Sequence, residues 1–466
     1  MKTKKIHSES RVNSLRCNNM RKHIIVGLLA ALAAANPSSY AAIDTWTGSG
    51  GSGLFSDSAN WTGGSATPIS NDTLVFGSTT GTTTLTNDLA VNPLLGGITF
   101  NAAAPAYTLN GAMSLASVNP LTVFTVNSAS NITQVINGDF LGLQIRGISV
   151  IGSGNLTLNG NISRGGTFSP KIEMNGTGVL TLNGAASTNP GVVTFANGTV
   201  SVGTIDNGGV ASNLGAGSAL ADRLVFSGGK LKYTGENTTS NRAFTINANT
   251  SGTIETANNL SLAGATGTAT NGSFIKTGSG ILTLTGVNTN TGSTTVSEGT
   301  LALTGTGSIS ASSPLIVASG SIFDTTGVTT AGTLGSTTIS VGTSSNGVLN
   351  LKSGTTYANA LTIDFGSTLT LASSYNLFTS NLAGHIGNFS TVTATGTSIS
   401  GTFVYAGGPN DTWTLNTGSY NLVLNENLGT LTASAVPEPS TYAAFAGVLV
   451  LGLTVMQRRR KSAKAM

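Results

Sequence analysis

Apolar and small polar residues alternate in short runs, closed by glycines, along most of the chain. Two such runs stand close together between residues 274 and 305: GILTLTG at 280–286 and GTLALTG at 299–305. Alternation at period 2 marks a strand with one buried face. It places Leu282, Leu284, Leu301 and Leu303 in a core and predicts that the Thr and Asn residues of this stretch face water. Leu301 follows Leu282 by 19 residues, enough for the chain to pass once around a coil and lay the second strand beside the first. GNLTLNG at 154–160 returns as GVLTLNG at 178–184 and as GTVSVG at 198–203. Aligning Leu282, Leu301, Ile322, Leu349 and Leu369 gives steps of 19, 21, 27 and 20 residues, a mean of about 22, in the range of stacked repeats. The segments between strands are too short, and too rich in Gly, Thr and Asn, for crossover helices. The pattern therefore predicts an all-β chain: a right-handed parallel β-helix over residues 95–372. At ~4.8 Å per coil, about a dozen coils make a rod of roughly 60 Å. An antiparallel sandwich or a propeller stays open, because Asn110-Gly111, Asn137-Gly138 and Asn207-Gly208 could close hairpins.

The flanks differ from this body. Residues 42–94 carry Trp46 and Trp61 and read as an N-terminal cap, since an exposed strand edge invites aggregation. The two rings read as core, with sugar stacking as the sharper alternative. Gly48 to Gly53 fits G-x-G-x-x-G, but no strand precedes it and no helix follows, so it reads as a turn. Residues 373–435 are more aromatic than the coils, with Tyr375, Phe378, Tyr405, Trp413 and Tyr420, and read as C-terminal capping strands.

Composition changes the picture in one respect. The 466 residues include 62 glycines and only 8% charged residues, against roughly 25% in an ordinary domain. The surface must therefore be built from hydroxyls and amides. The regular Leu, Val and Ile alternation argues against disorder. The formal charge of +4 conceals a division: seven Lys/Arg lie in residues 1–41 and five in the last nine. Residues 42–457 hold nine Lys/Arg and 16 acids, near −7. No basic patch points to nucleic acid. The single cysteine, Cys17, precedes the body, as in an exported chain without a disulfide framework.

Both ends read as targeting segments. Arg21, Lys22 and His23 precede an apolar run at 24–35, and Ser39 and Ala41 supply the small residues that a signal peptidase reads. Residues 1–41 are expected to be a signal peptide, cut between Ala41 and Ala42. At the other end, Val436, Pro437, Glu438, Pro439, Ser440 and Thr441 precede an apolar run at 443–456 and a basic cluster of Arg458, Arg459, Arg460 and Lys461. One transmembrane helix is expected here, lengthened by snorkelling arginines, with the basic end cytoplasmic.

Two resemblances follow from these residues. Lys276-Thr-Gly-Ser-Gly-Ile-Leu-Thr-Leu-Thr-Gly286, with Asn288, Gly292, Val296 and Gly299-Thr-Leu301, resembles the autotransporter-associated β-strand repeat of bacterial surface proteins with β-helical passengers. The resemblance does not extend to the end of an autotransporter, since residues near 466 do not read as the amphipathic strands of a translocator barrel. Residues 436–466 resemble a PEP-CTERM sorting signal, with Pro437-Glu438-Pro439 as its motif. That resemblance implies an exosortase-like membrane peptidase as partner, a transient inner-membrane anchor, and delivery to the cell surface or an exopolysaccharide matrix.

Candidate chemistry is sparse. Asp139, Glu173, Asp206, Asp222, Glu236, Glu255, Glu298, Asp324 and Asp364 are scattered singly, whereas glycoside cleavage wants two carboxylates about 5–10 Å apart. Pairs such as Asp206 with Asp222, or Glu236 with Glu255, could be stacked by the coil period. His385 stands in a Gly-flanked stretch as an ordinary turn residue. No catalytic residue, metal ligand or cofactor is expected. The reading is a non-enzymatic exported rod for adhesion or exopolysaccharide association. The alternative is a polysaccharide lyase or glycoside hydrolase on the same β-helix, which would gather carboxylates with Lys or Arg in one groove.

Overall fold

Inward side chains stack on one another from coil to coil, and the backbone of each coil pairs with the coils on either side. The computed structural model describes residues 41–115, 122–143, 147–164, 169–268, 270–310, 313–330, 339–342, 347–352, 360–365, 374–377, 389–396, 399–408, 411–436 and 439–462. The expected leader (1–41) up to residue 40, Leu369, His385, Pro437 and Glu438 lie outside these residues.

Among the described residues the longest sheet has fifteen strands, from Thr84–Thr86 to Gly401–Thr402. Its pairings are parallel until the last strand, which turns back antiparallel. At ~4.8 Å per strand this face is roughly 65 Å long. A second face of ten strands runs beside its N-terminal part, and a face of six strands runs from Thr238–Thr239 to Val348–Asn350. The chain is thus an all-β solenoid with a single described α-helix.

The inward columns are apolar. Leu156, Leu180, Val200, Leu231 and Ile254 lie in one register, all 0% exposed. Each finds partners only in the coils above and below, as expected of a stacked repeat. In the six-stranded face Leu260, Leu282, Leu301, Phe323 and Leu349 form another column. Phe323, not Ile322, therefore follows Leu301. A one-residue slip sends a side chain to the opposite face, and the larger aromatic ring is the one buried.

The solenoid extends beyond both expected limits. Ile43–Trp46 pairs in parallel with Thr73–Phe76, and that strand with Gly97–Phe100. Coils thus begin inside the segment read as a cap, because its strands carry the same in-out alternation. The closing element there is Trp61–Gly63, antiparallel on the outer side of Ile43–Trp46. Trp46 and Trp61 are core: their ring centroids lie 5.1 Å apart, edge to face, and Phe55 packs on Trp61 at 5.2 Å. At the far end Thr391–Thr395 still pairs in parallel with Ala360–Asp364. The closing sheet is a five-stranded antiparallel meander formed by Ser374–Asn376, Val404–Gly407, Thr412–Asn416, Tyr420–Asn425 and Thr430–Ala435. Buried Glu426 ties it to its surroundings, accepting from Trp413 Nε1 at 2.8 Å and from Phe389 N–H at 3.1 Å.

Asn110-Gly111 and Asn137-Gly138 close no hairpin, since the strands before them belong to the parallel sheet. The expectation that Asn and Thr of the 274–305 stretch face water also fails in part. Asn288, Asn290 and Thr294 are buried. Backbone groups inside a turn need partners, and Asn288 supplies them: Oδ1 accepts from Ala265 N–H at 2.7 Å and Nδ2 donates to Ser308 O at 2.8 Å.

The register generates a prediction. Phe323→Ala should cost about 3–5 kcal/mol in urea unfolding of the full chain, while Ile322→Ser should cost under about 1 kcal/mol. Equal costs would contradict the register.

Candidate functional surface

The outward columns are short side chains that repeat once per coil. On the long sheet Thr157, Thr181 and Ser201 follow one another in register, and on the six-stranded face Ser261 and Thr283 do the same. At the strand ends the amides connect. Asn137 Nδ2 donates to Asn110 Oδ1 at 2.8 Å, Asn159 to Asn137 at 2.7 Å, and Asn183 to Asn159 at 2.7 Å. Each of these asparagines precedes a glycine, and the glycines form their own column. A Cβ on Gly160 would stand 2.1 Å from Gly138 O, and one on Gly138 only 1.6 Å from Gly111 O. The glycine lets adjacent turns approach, and the approach brings the amides within hydrogen-bond reach.

Charge is concentrated at one place on this surface. Glu255 lies beside Lys232 in register, and Lys230 is two residues away on the same face. Lys230 Nζ reaches Glu255 Oε2 at 2.7 Å and Lys232 Nζ reaches Oε1 at 2.8 Å. Burial works to raise the Glu255 carboxyl, but the hydrogen bonds and charges of the two lysines outweigh it and leave its pKa below the ordinary value. A carboxylate held this way is a poor proton donor.

The other candidate acids serve local structure. Asp139 accepts from Asn161 N–H at 2.7 Å, Glu298 from Gly278 N–H at 2.9 Å, and Asp324 from Thr326 N–H at 2.8 Å. Asp222 forms an ion pair with its neighbour Arg223, at 3.4 Å. Glu255 engages the two lysines rather than Glu236, and Asp222 engages Arg223 rather than Asp206. Where Thr238–Thr239 opens the six-stranded face, a shallow depression of about 440 Å³ is lined by Asn237, Thr238, Thr239, Asn259, Ser261 and Thr283, with Leu260 at its base. It offers hydroxyls and amides and no charge.

Sequence reasoning missed two buried cations. Arg242, 1% exposed, donates through Nε to Asp206 O at 2.8 Å and through Nη2 to Gly215 O at 2.7 Å. It thereby holds the long connection between two coils. Lys276 takes an inward position between Ile254 and Val296 and donates to Thr277 O, Gly278 O and Glu298 O at 2.8, 2.6 and 3.2 Å. Burial pushes its ammonium down to about 8, against the opposing pull of Glu298 and Glu255. The alternation placed residue 276 inward, and a lysine there was the available signal.

The C-terminal segment forms the helix Pro439–Ser462, 24 residues long. Val448 to Met456 are exposed, as are Arg458 and Arg460. Among the described residues no helix is long and apolar enough to cross a membrane. The expected transmembrane span is corrected accordingly. The apolar run of 443–456 covers only about 21 Å at 1.5 Å per residue, against a hydrocarbon core of about 30 Å.

The coil pattern recurs in known proteins. The passenger-associated-transport-repeat family matches residues 172–202 and 274–303. Each match covers two successive pairs of strands, and Lys276 takes the place that Met174 holds in the first copy. A stretch of 198 residues is 32% identical to the adhesin BmaC autotransporter of Brucella suis biovar 1 (strain 1330), covering 41% of this chain and 6% of the adhesin. The matched part is therefore a small fraction of that relative's length. No solved structure matches the chain.

Two outcomes test this surface. Asn159→Ala, which interrupts the amide column, should lower stability by about 1 kcal/mol in urea unfolding; a neutral change would show the column to be incidental. Lys276 makes stability depend on pH. Its folded pKa is depressed, so folding carries a penalty while both states hold the proton, and the penalty is relieved as pH rises above about 8 towards the unfolded value near 10.4. Stability attributable to Lys276 should therefore rise from pH 8 to 10. The difference in unfolding midpoint between wild type and Lys276→Met should change across that window. A constant difference would mean that the ammonium is solvated.

Proposed function

We propose that this chain is an exported, non-enzymatic surface protein whose solenoid presents hydroxyl and amide columns for adhesion, in contact with exopolysaccharide. The observation that carries the reading is the parallel solenoid itself, which contains two matches to the passenger-associated-transport-repeat family and is similar over 198 residues to a named adhesin. An outer face of Thr, Ser and Asn suits a neutral polyhydroxyl partner, which exchanges hydrogen bonds with such groups without burying charge. Asp139, Glu298 and Asp324 act as structural acceptors and Asp222 and Glu255 as ion-pair partners, which favours this reading over a lyase or hydrolase.

Residues 436–461 serve in this reading as the sorting element. An exosortase-like membrane peptidase would read Pro437, Glu438 and Pro439, with the basic cluster as part of the same signal. Signal peptidase would act at the other end.

The test expresses the full chain in a host with a sorting peptidase and follows it by surface proteolysis of intact cells and by cell attachment to a polysaccharide-coated support. Wild type should be surface-accessible and promote attachment. Changing Arg458, Arg459, Arg460 and Lys461 to Gln should cut the surface fraction several-fold. Cytoplasmic retention of the wild type, or a surface-exposed chain without effect on attachment, would contradict the proposal.

A further inference from the structure

The first strand departs from the inward-apolar rule, as the strand of Lys276 does. In Ile43–Trp46 the apolar Ile43 is 63% exposed, while Asp44 occupies an inward position and is 0% exposed. The partner coil brings a second carboxylate, since Asp72, also 0% exposed, immediately precedes Thr73, which pairs with Ile43. Asp44 Oδ1 accepts from Ser65 N–H at 3.0 Å, and its Oδ2 has no hydrogen-bond partner. Asp72 Oδ2 accepts from Ile69 N–H at 2.9 Å, and its Oδ1 accepts from the N–H of Ala42 at 2.9 Å. Burial, followed by the influence of Asp72, pushes the Asp44 carboxyl up to about 6.

Two buried carboxyls side by side are costly unless a cation or a shared proton accompanies them. No side chain nearby in sequence can supply the cation: no lysine, arginine or histidine occurs from Ala42 to Ile145. The described salt bridges all lie beyond residue 200. Of the three backbone nitrogens described as reaching the pair, those of Ser65, Ile69 and Ala42, the last belongs to the residue that leader cleavage would expose.

We infer that cleavage between Ala41 and Ala42 creates the missing cation, an α-ammonium on Ala42 that ion-pairs with Asp72 and locks the first strand onto the end of the solenoid. The inference rests on the export reading. A signal-peptidase-class endopeptidase adds water across the Ala41–Ala42 peptide bond. Ala41 leaves as a carboxylate and the Ala42 nitrogen takes up a proton. One amide donor becomes an ammonium with three donors, already placed 2.9 Å from Asp72 Oδ1. The Ala42 carbonyl accepts from Thr73 N–H at 2.8 Å, so the terminus is held from both sides. Ala42 is half-buried against Gly64, where a Cβ would stand 2.2 Å from its own. Before cleavage the donors described for the pair are all neutral backbone N–H groups. The end of the solenoid therefore closes firmly only once the leader is gone.

The full chain, exported and purified in its processed form, tests this. Mass spectrometry should give Ala42 as the first residue. Acetylating that α-amine near pH 7, where exposed lysines stay protonated and Lys276 is shielded by burial, should speed native-state proteolysis within residues 42–76 about tenfold, the equivalent of one pKa unit of lost interaction. The rate at which the α-amine is labelled should also report a pKa above the ordinary value of about 8, returning to it in Asp72→Asn. The acetylation result on the wild type stands even if that variant folds poorly. A first residue other than Ala42 in an exported protein overturns the inference at its cleavage step. A chain that starts at Ala42, but whose opening is unaffected by acetylation and whose α-amine titrates ordinarily, overturns the lock and leaves the export reading intact.

Discussion

Each coil depends on the next for its backbone hydrogen bonds, and this dependence governs the rest of the structure. A parallel strand has no hairpin partner close in sequence, so its donors and acceptors must be met one coil away. That requirement fixes the register, and the register fixes what lies inside. Leu282, Leu301, Phe323 and Leu349 are core because they fall in one column. It also explains the glycines. Gly138 and Gly160 stand where a carbonyl of the preceding coil comes closer than a Cβ could allow.

The legible part of the fold was the part written in period 2. Runs such as 280–286 and 299–305 showed their inward residues directly, and the 19-residue step between Leu282 and Leu301 is the observed pairing. Legibility fell where connections lengthen. Ile322 and Phe323 are both apolar, so alternation alone could not choose between them, and only pairing across the turn decides. The ends were misjudged because the coils at 43–76 carry tryptophans and turns that look unlike the repeat but keep its pairing. Asn288 and Asn290 read as surface by residue type, yet turns on the inside of a bend need polar groups to meet their backbone.

The surface follows from the same requirement. Outward positions need only be small and β-compatible, so Thr, Ser and Asn suffice. Charge is then confined to places where it holds the structure together. Lys230 and Lys232 pair with Glu255, Arg242 spans a long connection, Lys276 lies under a turn, and Asp44 meets Asp72 at the N-terminal end. Both ends are closed by antiparallel strands, Trp61–Gly63 at one and the five-stranded meander at the other. Closure of this kind suppresses end-to-end association and leaves the flanks free for contact with partners. Lys276 shows how far a repeat tolerates departure. The first family match holds Met174 at this place, and the lysine is accommodated because three backbone carbonyls converge on its ammonium.

The central claim is that neighbouring coils are parallel and in register, and engineered cysteines test it most directly. Thr283 and Ala302 are register partners on adjacent strands of one face. Two cysteines at these positions, in a full chain with Cys17→Ser, fall within disulfide reach for strands ~4.8 Å apart. Mild oxidation should cross-link them nearly completely, while a pair at Thr283 and Thr304, two residues further along the partner strand, should cross-link poorly. Preferential cross-linking of the offset pair, or none at either, would contradict the parallel solenoid.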